Sequence, residues 1–112
     1  MAMIDNLEKM LAKGRDDAML RFGLGSAYFN EKQFDKAIEH LSACLEHDET
    51  YSAAYKLLGK AFYQQERYSD AVEIFERGLP VAQTSGDKQS QKEIEVFLAK
   101  AEKQNAGKQT DT

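Results

Sequence analysis

His40, Cys44 and His47 stand at i, i+4 and i+7, a spacing that puts three side chains on one face of a helix. Imidazole and thiolate are the usual zinc ligands, but a closed structural site takes four, and no fourth partner is evident. Cys44 also falls 34 residues before Gly78, at a position that asks for a small buried group. A thiol there acts as a small hydrophobe. No metal and no cofactor are expected. The 19 acidic residues offer no isolated catalytic pair. They are mixed with bases, as in Glu31-Lys32 and Asp35-Lys36, and read as a solvated face. Gly23-x-Gly25 lies inside a helical pattern, without the preceding strand that a phosphate loop needs. With two histidines and one cysteine, little is left for nucleophilic chemistry, and the chain is not expected to be an enzyme. Lys56 and Lys60 are one turn apart, so both ammonium groups reach one patch; they either face water as a solvated pair or hold a carboxylate of an acidic peptide.

The elements that position these groups come from an internal repeat. Sliding the chain by 34 residues lays Leu24, Gly25 and Ala27 on Leu58, Gly59 and Ala61. Tyr28-Phe29 falls on Phe62-Tyr63, Phe34 on Tyr68, and Ala37-Ile38-Glu39 on Ala71-Val72-Glu73. Leu41 falls on Phe75 and Leu45 on Leu79. A period of that length is one helix–turn–helix unit. Gly25 and Gly59 let the two helices of a unit approach, and Ala37 and Ala71 keep the second helix slim at the contact.

The second unit reads Tyr55-x2-Leu58-Gly59-x2-Phe62 and then Ala71-x3-Phe75; the first reads Arg21-x2-Leu24-Gly25-x2-Tyr28 and then Ala37-x3-Leu41. This resembles the tetratricopeptide repeat, whose pattern is an aromatic, Leu-Gly, an aromatic, then Ala and a large apolar residue. Two departures stand out: Arg21 holds the first aromatic position, and Glu49 stands where the family closes with proline. The whole chain also resembles small bacterial proteins of this family. The resemblance implies an all-α superhelix of about six antiparallel helices. Helices are expected at 3–13, 17–31, 34–47, 51–65, 68–85 and 89–104. Residues 3–13 match the second helix of a unit without its first: Ile4, Leu7 and Leu11 repeat Ile38, Leu41 and Leu45. Repeat one spans 18–51 and repeat two 52–85; 89–104 caps a single domain of 1–104, and 105–112 form a disordered tail.

In this family the first helix of each unit faces a concave groove. On helix 17–31, Leu20, Leu24, Ala27 and Tyr28 make one apolar arc, suited to the core. Met19, Phe22, Ser26 and Phe29 make a second arc, which either packs on a neighbouring helix or contacts a partner. The equivalent arc of the next unit is Ala53, Lys56, Lys60 and Tyr63. The groove is thus apolar at one end and basic at the other. The expected partner is a protein or peptide with acidic and apolar side chains, bound at Met19, Phe22, Ser26, Phe29, Lys56, Lys60 and Tyr63. The alternative is self-association, as a homodimer, through the Phe22/Phe29 patch or the C-terminal helix. The family's carboxylate clamp for acidic chaperone tails is not matched, since Phe22, Ser26 and Leu57 hold its first places.

The formal net charge is −4. The surplus sits in residues 31–51, which hold six acids and two bases. No basic stripe offers a nucleic-acid footprint. One cysteine without an internal partner suits a reducing, cytoplasmic setting. The N-terminal residues carry Asp5 and Glu8 inside their apolar stretch, unlike a signal peptide or a membrane span.

Overall fold

The computed structural model describes residues 2–110. Among these are six helices and no strand: α1 (Ala2–Ala12), α2 (Ala18–Asn30), α3 (Phe34–His47), α4 (Ser52–Gln64), α5 (Tyr68–Ser85) and α6 (Lys88–Thr110). Each of the first five ends within two residues of its expected bound. The sixth does not stop at 104. Beyond Ala101, its last fully buried residue, only Gly107 interrupts a run of helix-compatible side chains, and there is no proline. Propagation of a formed helix adds one hydrogen bond per residue, so the helix continues to Thr110. The expected disordered tail is therefore helical over 105–110; residues 111–112 lie outside the described residues.

Helix ends follow local chemistry. Asp17 caps α2 by accepting from the Leu20 N–H at 2.8 Å. Asp87 caps α6 by accepting from the Ser90 N–H at 3.1 Å. Gly86 closes α5 in the left-handed region at φ 75°. The turn inside each unit has the same left-handed closure, but on side chains that resist it: Lys32 at φ 59° and Glu66 at φ 60°, 34 residues apart. Both turns are held alike. Gln33 donates to the Tyr28 carbonyl and Arg67 to the Phe62 carbonyl, each at 2.9 Å.

Sequential helices pack antiparallel, and α4 also meets both α2 and α6. The first helices therefore touch one another, while the backbones of α1, α3 and α5 stay apart. That difference bends the stack, with α2, α4 and α6 on the inner side. The result is a slab of 47 × 32 × 19 Å, two helix layers thick. Its core runs without a break from Leu20 to Ala101 and includes Leu24, Leu41, Leu58, Phe75 and Ile94.

The repeat's small residues sit at the tightest contacts. A methyl group on Gly25 would overlap Leu41, and one on Gly59 would overlap the Phe75 ring. Ala37 and Ala71 are both fully buried. Gly59→Ala should therefore lower stability by roughly 1–3 kcal/mol, although alanine is the better helix former. An unchanged or raised melting temperature would contradict this packing. The turn gives the opposite sign. Lys32→Gly relieves the left-handed strain and should stabilise by roughly 0.5 kcal/mol, whereas Glu39→Gly, on the exposed face of α3, should cost about 1 kcal/mol. Paired melts of the two variants check this.

Candidate interaction groove and the polar cluster behind it

The inner face is built from α2, α4 and α6. On α2, Met19 leaves 67% of its surface exposed. Phe22 is half-buried and stacks on Tyr51, with ring centroids 4.9 Å apart. Phe29 meets Phe34 edge to face at 5.3 Å. Ser26 is half-buried between them in sequence. Both phenylalanines pack against the core and keep part of their surface exposed. Beside Phe29 opens a cleft of about 420 Å³ lined by Asn30, Lys32, Phe34 and Gln64.

On α4, Lys56 and Lys60 do meet at one point, the Glu93 carboxylate of α6, at 3.4 Å from each nitrogen. Burial alone would raise the Glu93 carboxyl; the Lys56 and then Lys60 charges and hydrogen bonds overcome this and hold it below its ordinary value. The Lys60 ammonium also lies 5.1 Å from the Phe97 ring centre, and Lys100 lies 4.9 Å from the same ring. Tyr63 completes the wall, edge to face with Phe97 at 5.8 Å and with Tyr68 at 5.3 Å. The basic end therefore holds three lysines around one glutamate and two aromatic rings. Glu93, Phe97 and Lys100 escaped the sequence reading, which treated this helix as a cap. Their spacing of i, i+4 and i+7 was the available signal.

The three side chains that could have formed a metal site go separate ways. His47 pairs with Asp16 at 2.9 Å, and Cys44 is fully buried. Burial pushes the Cys44 thiol up to about 11. His40, 4% exposed, takes a hydrogen bond on Nδ1 from Arg21 Nη1 at 3.0 Å. It also stacks on Tyr28 with the rings 7° from parallel. The Tyr28 hydroxyl donates to Glu8 of α1, which raises that phenol to about 12. Arg21 is anchored in turn by Asp16, at 2.8 Å and 3.0 Å. Arg21 is one of the two departures from the repeat pattern. Its counterpart Tyr55 packs on Gly78 and donates to the Glu49 carbonyl at 2.8 Å, whereas Arg21 faces a polar cluster made for it.

Because Arg21 donates to Nδ1, His40 must be neutral with its proton on Nε2, which points toward Glu8 at 3.9 Å. Desolvation by burial lowers the His40 pKa from 6.5, against the Glu8 charge that would raise it. A lowered folded-state value means that the unfolded chain binds more protons just below pH 6.5. The contribution is complete above that pH and is lost as pH falls through the folded-state value. His40→Ile, which installs the residue of the second unit, should narrow the fall in melting temperature between about pH 7.5 and about pH 5. An equal fall in parent and variant would show that His40 does not carry it.

A family profile described as tetratricopeptide repeat matches residues 16–84. A TPR repeat-containing protein of Pseudomonas aeruginosa is 50% identical over 101 residues, covering 90% of this chain and 96% of that one. The solution structure of a Bordetella parapertussis protein aligns with a TM-score of 0.80 at 44% identity, over 95% of this chain and 92% of that one. The TPR2B-domain:pHsp70 complex of yeast Sti1 aligns with a TM-score of 0.82 at 21% identity, over 90% and 81% of the two chains, a likeness of fold.

Proposed function

Because the chain belongs to the tetratricopeptide repeat family, we propose that it is a non-enzymatic module that binds a peptide or helix of a cytoplasmic protein along its inner face. The similar fold of yeast Sti1 in complex with pHsp70 supports a protein ligand as the general class. One observation carries the finer reading. The inner face runs from an exposed methionine and two half-buried phenylalanines on α2 to three lysines on α4 and α6, offset by a single glutamate. That surface complements a ligand with an apolar segment and an acidic one. Phe22, Ser26 and Leu57 stand in place of the polar groups of a carboxylate clamp, so the acidic end would be held by charge and by the Phe97 and Tyr63 rings.

The contacts decide which substitutions test this. Phe22 and Phe29 support the core edge, so their truncation would lower stability as well as binding. Lys56 and Lys60 are tied to Glu93, and reversing both would crowd three carboxylates. Met19 and Lys100 are exposed and leave the core intact. Proteins retained from the native cell by the immobilised parent should be identified and titrated. Met19→Glu should weaken the complex by about 2 kcal/mol if it anchors the apolar segment. Lys100→Glu should slow association, with an effect that shrinks as salt rises. Both variants should melt as the parent does. If both bind as the parent, the ligand sits elsewhere.

A further inference from the structure

Two carboxylates of α6 reach toward α4, and they are held differently. Asp87, which caps the helix, accepts the Ser52 hydroxyl on one oxygen at 2.6 Å and the Ser90 N–H on the other at 3.1 Å. Glu93 lies between the ammonium groups of Lys56 and Lys60, with one oxygen 3.4 Å from each. A charge-assisted N–H···O bond normally closes to about 2.7–2.9 Å. The Arg21–Asp16 and Arg67–Asp70 pairs come to 2.8 Å and 3.0 Å. Glu93 thus spans both lysines without closing on either.

The helix does not depend on that contact for its place. Ser90, Ile94 and Ala101 seat α6 and are all buried. Glu93 keeps 33% of its side chain exposed, against 19% for Lys56 and 23% for Lys60. The lysine stems are therefore packed along the wall, and the carboxylate has the more open way out to solvent. Phe97, one turn further on, carries Lys60 and Lys100 at 5.1 Å and 4.9 Å from its ring centre. The cluster therefore holds three ammonium groups and one carboxylate. Turning Glu93 away leaves Lys56 and Lys60 repelling each other at a site already shaped to span a carboxylate.

We propose that Glu93 is a built-in competitor for the acidic end of the ligand: it fills the Lys56/Lys60 site in the free protein, and a ligand carboxylate takes its place. This rests on the reading of the inner face as a groove for a peptide with an acidic segment, and adds how that site is guarded. The exchange sets a threshold. A ligand with a single carboxylate replaces one contact by an equal one and gains little. A ligand with clustered carboxylates occupies the site vacated by Glu93 and also meets Lys100, so the excess of positive charge is used. Glu93 accordingly makes the groove select a run of acidic side chains over an isolated one.

Titration of the isotope-labelled full chain with an acetylated and amidated hexaglutamate peptide tests it, read from the amide shifts of α4 and α6. Glu93→Gln keeps the shape of the side chain and removes its charge. It should bind the probe at least ~5-fold tighter than the parent. Adding Lys56→Gln/Lys60→Gln should abolish that gain. Glu95→Gln makes the same charge change at an exposed position of the same helix and should bind as the parent does. A hexaglutamine peptide should shift nothing. A second measurement needs no variant: as the probe saturates the parent, the carboxyl carbon resonance of the Glu93 side chain should move and that of Glu95 should not. Glu93→Gln binding no tighter than a parent that binds would overturn the proposal and leave the groove reading standing. So would a gain shared by Glu95→Gln, or a Glu93 resonance that stays in place at saturation. If neither the parent nor Glu93→Gln binds the probe, the proposal falls together with the acidic half of that reading.

Discussion

Everything in this structure depends on how closely the two helices of a unit can approach. Gly25 lies against Leu41 and Gly59 against Phe75, with no room for a methyl group at either place. Ala37 and Ala71 keep the same contact thin from the other side. These residues fix the distance and crossing of each pair, because a ridge of larger side chains would force the helices apart. Once the pairs are fixed, the first helices meet along one side of the stack and the second helices splay along the other. The inner face follows from that. It is a surface on rigid helices, so a ligand would meet side chains already in position rather than loops that must first be ordered.

The repeat made most of this legible in the sequence. A match in phase reports the contacts, and the helices that make them have to follow. The sequence failed at the C-terminus because composition was read for core-forming residues. A helix already nucleated on buried Ser90, Ile94 and Ala101 needs none to go on to Thr110. The turns at Lys32 and Glu66 were not legible either, since no glycine marks their left-handed backbone. The register overrides local preference there: both residues sit at the same place in the repeat, held by the same pair of hydrogen bonds.

The groove was half legible. Spacing alone placed Lys56 beside Lys60, and the structure does bring both to one point. What lies at that point comes from α6, about 35 residues away, and periodicity within one helix cannot name a partner on another. Glu93 alters the meaning of the pair: two lysines that would have formed a bare anion site are partly satisfied, and Lys100 adds a further positive charge beside the Phe97 ring. Arg21 teaches the same lesson. In the sequence it stands only as a break in the family pattern. In place it belongs to a cluster with Asp16, His40, Tyr28 and Glu8, which adds polar contacts between α1, α2 and α3 to the apolar ones of Ile4, Leu7 and Leu11.

That cluster also bears on what kind of function the molecule can have. Strongly shifted titratable groups often mark reactive sites, but structural networks shift them too, and the partners tell which is present. The Cys44 thiol is pushed to about 11 by burial, so it is protonated and out of reach at neutral pH. His40 is held neutral, with Nδ1 taken by Arg21 and both ring faces enclosed, one of them by Tyr28. Asp16 is held well below the carboxylate range by hydrogen bonds from Arg21 and His47, and those same bonds occupy its oxygens. Each shift is thus accounted for by a contact inside the chain that leaves the group unavailable to a substrate. The perturbed groups of this cluster therefore knit α1, α2 and α3 together.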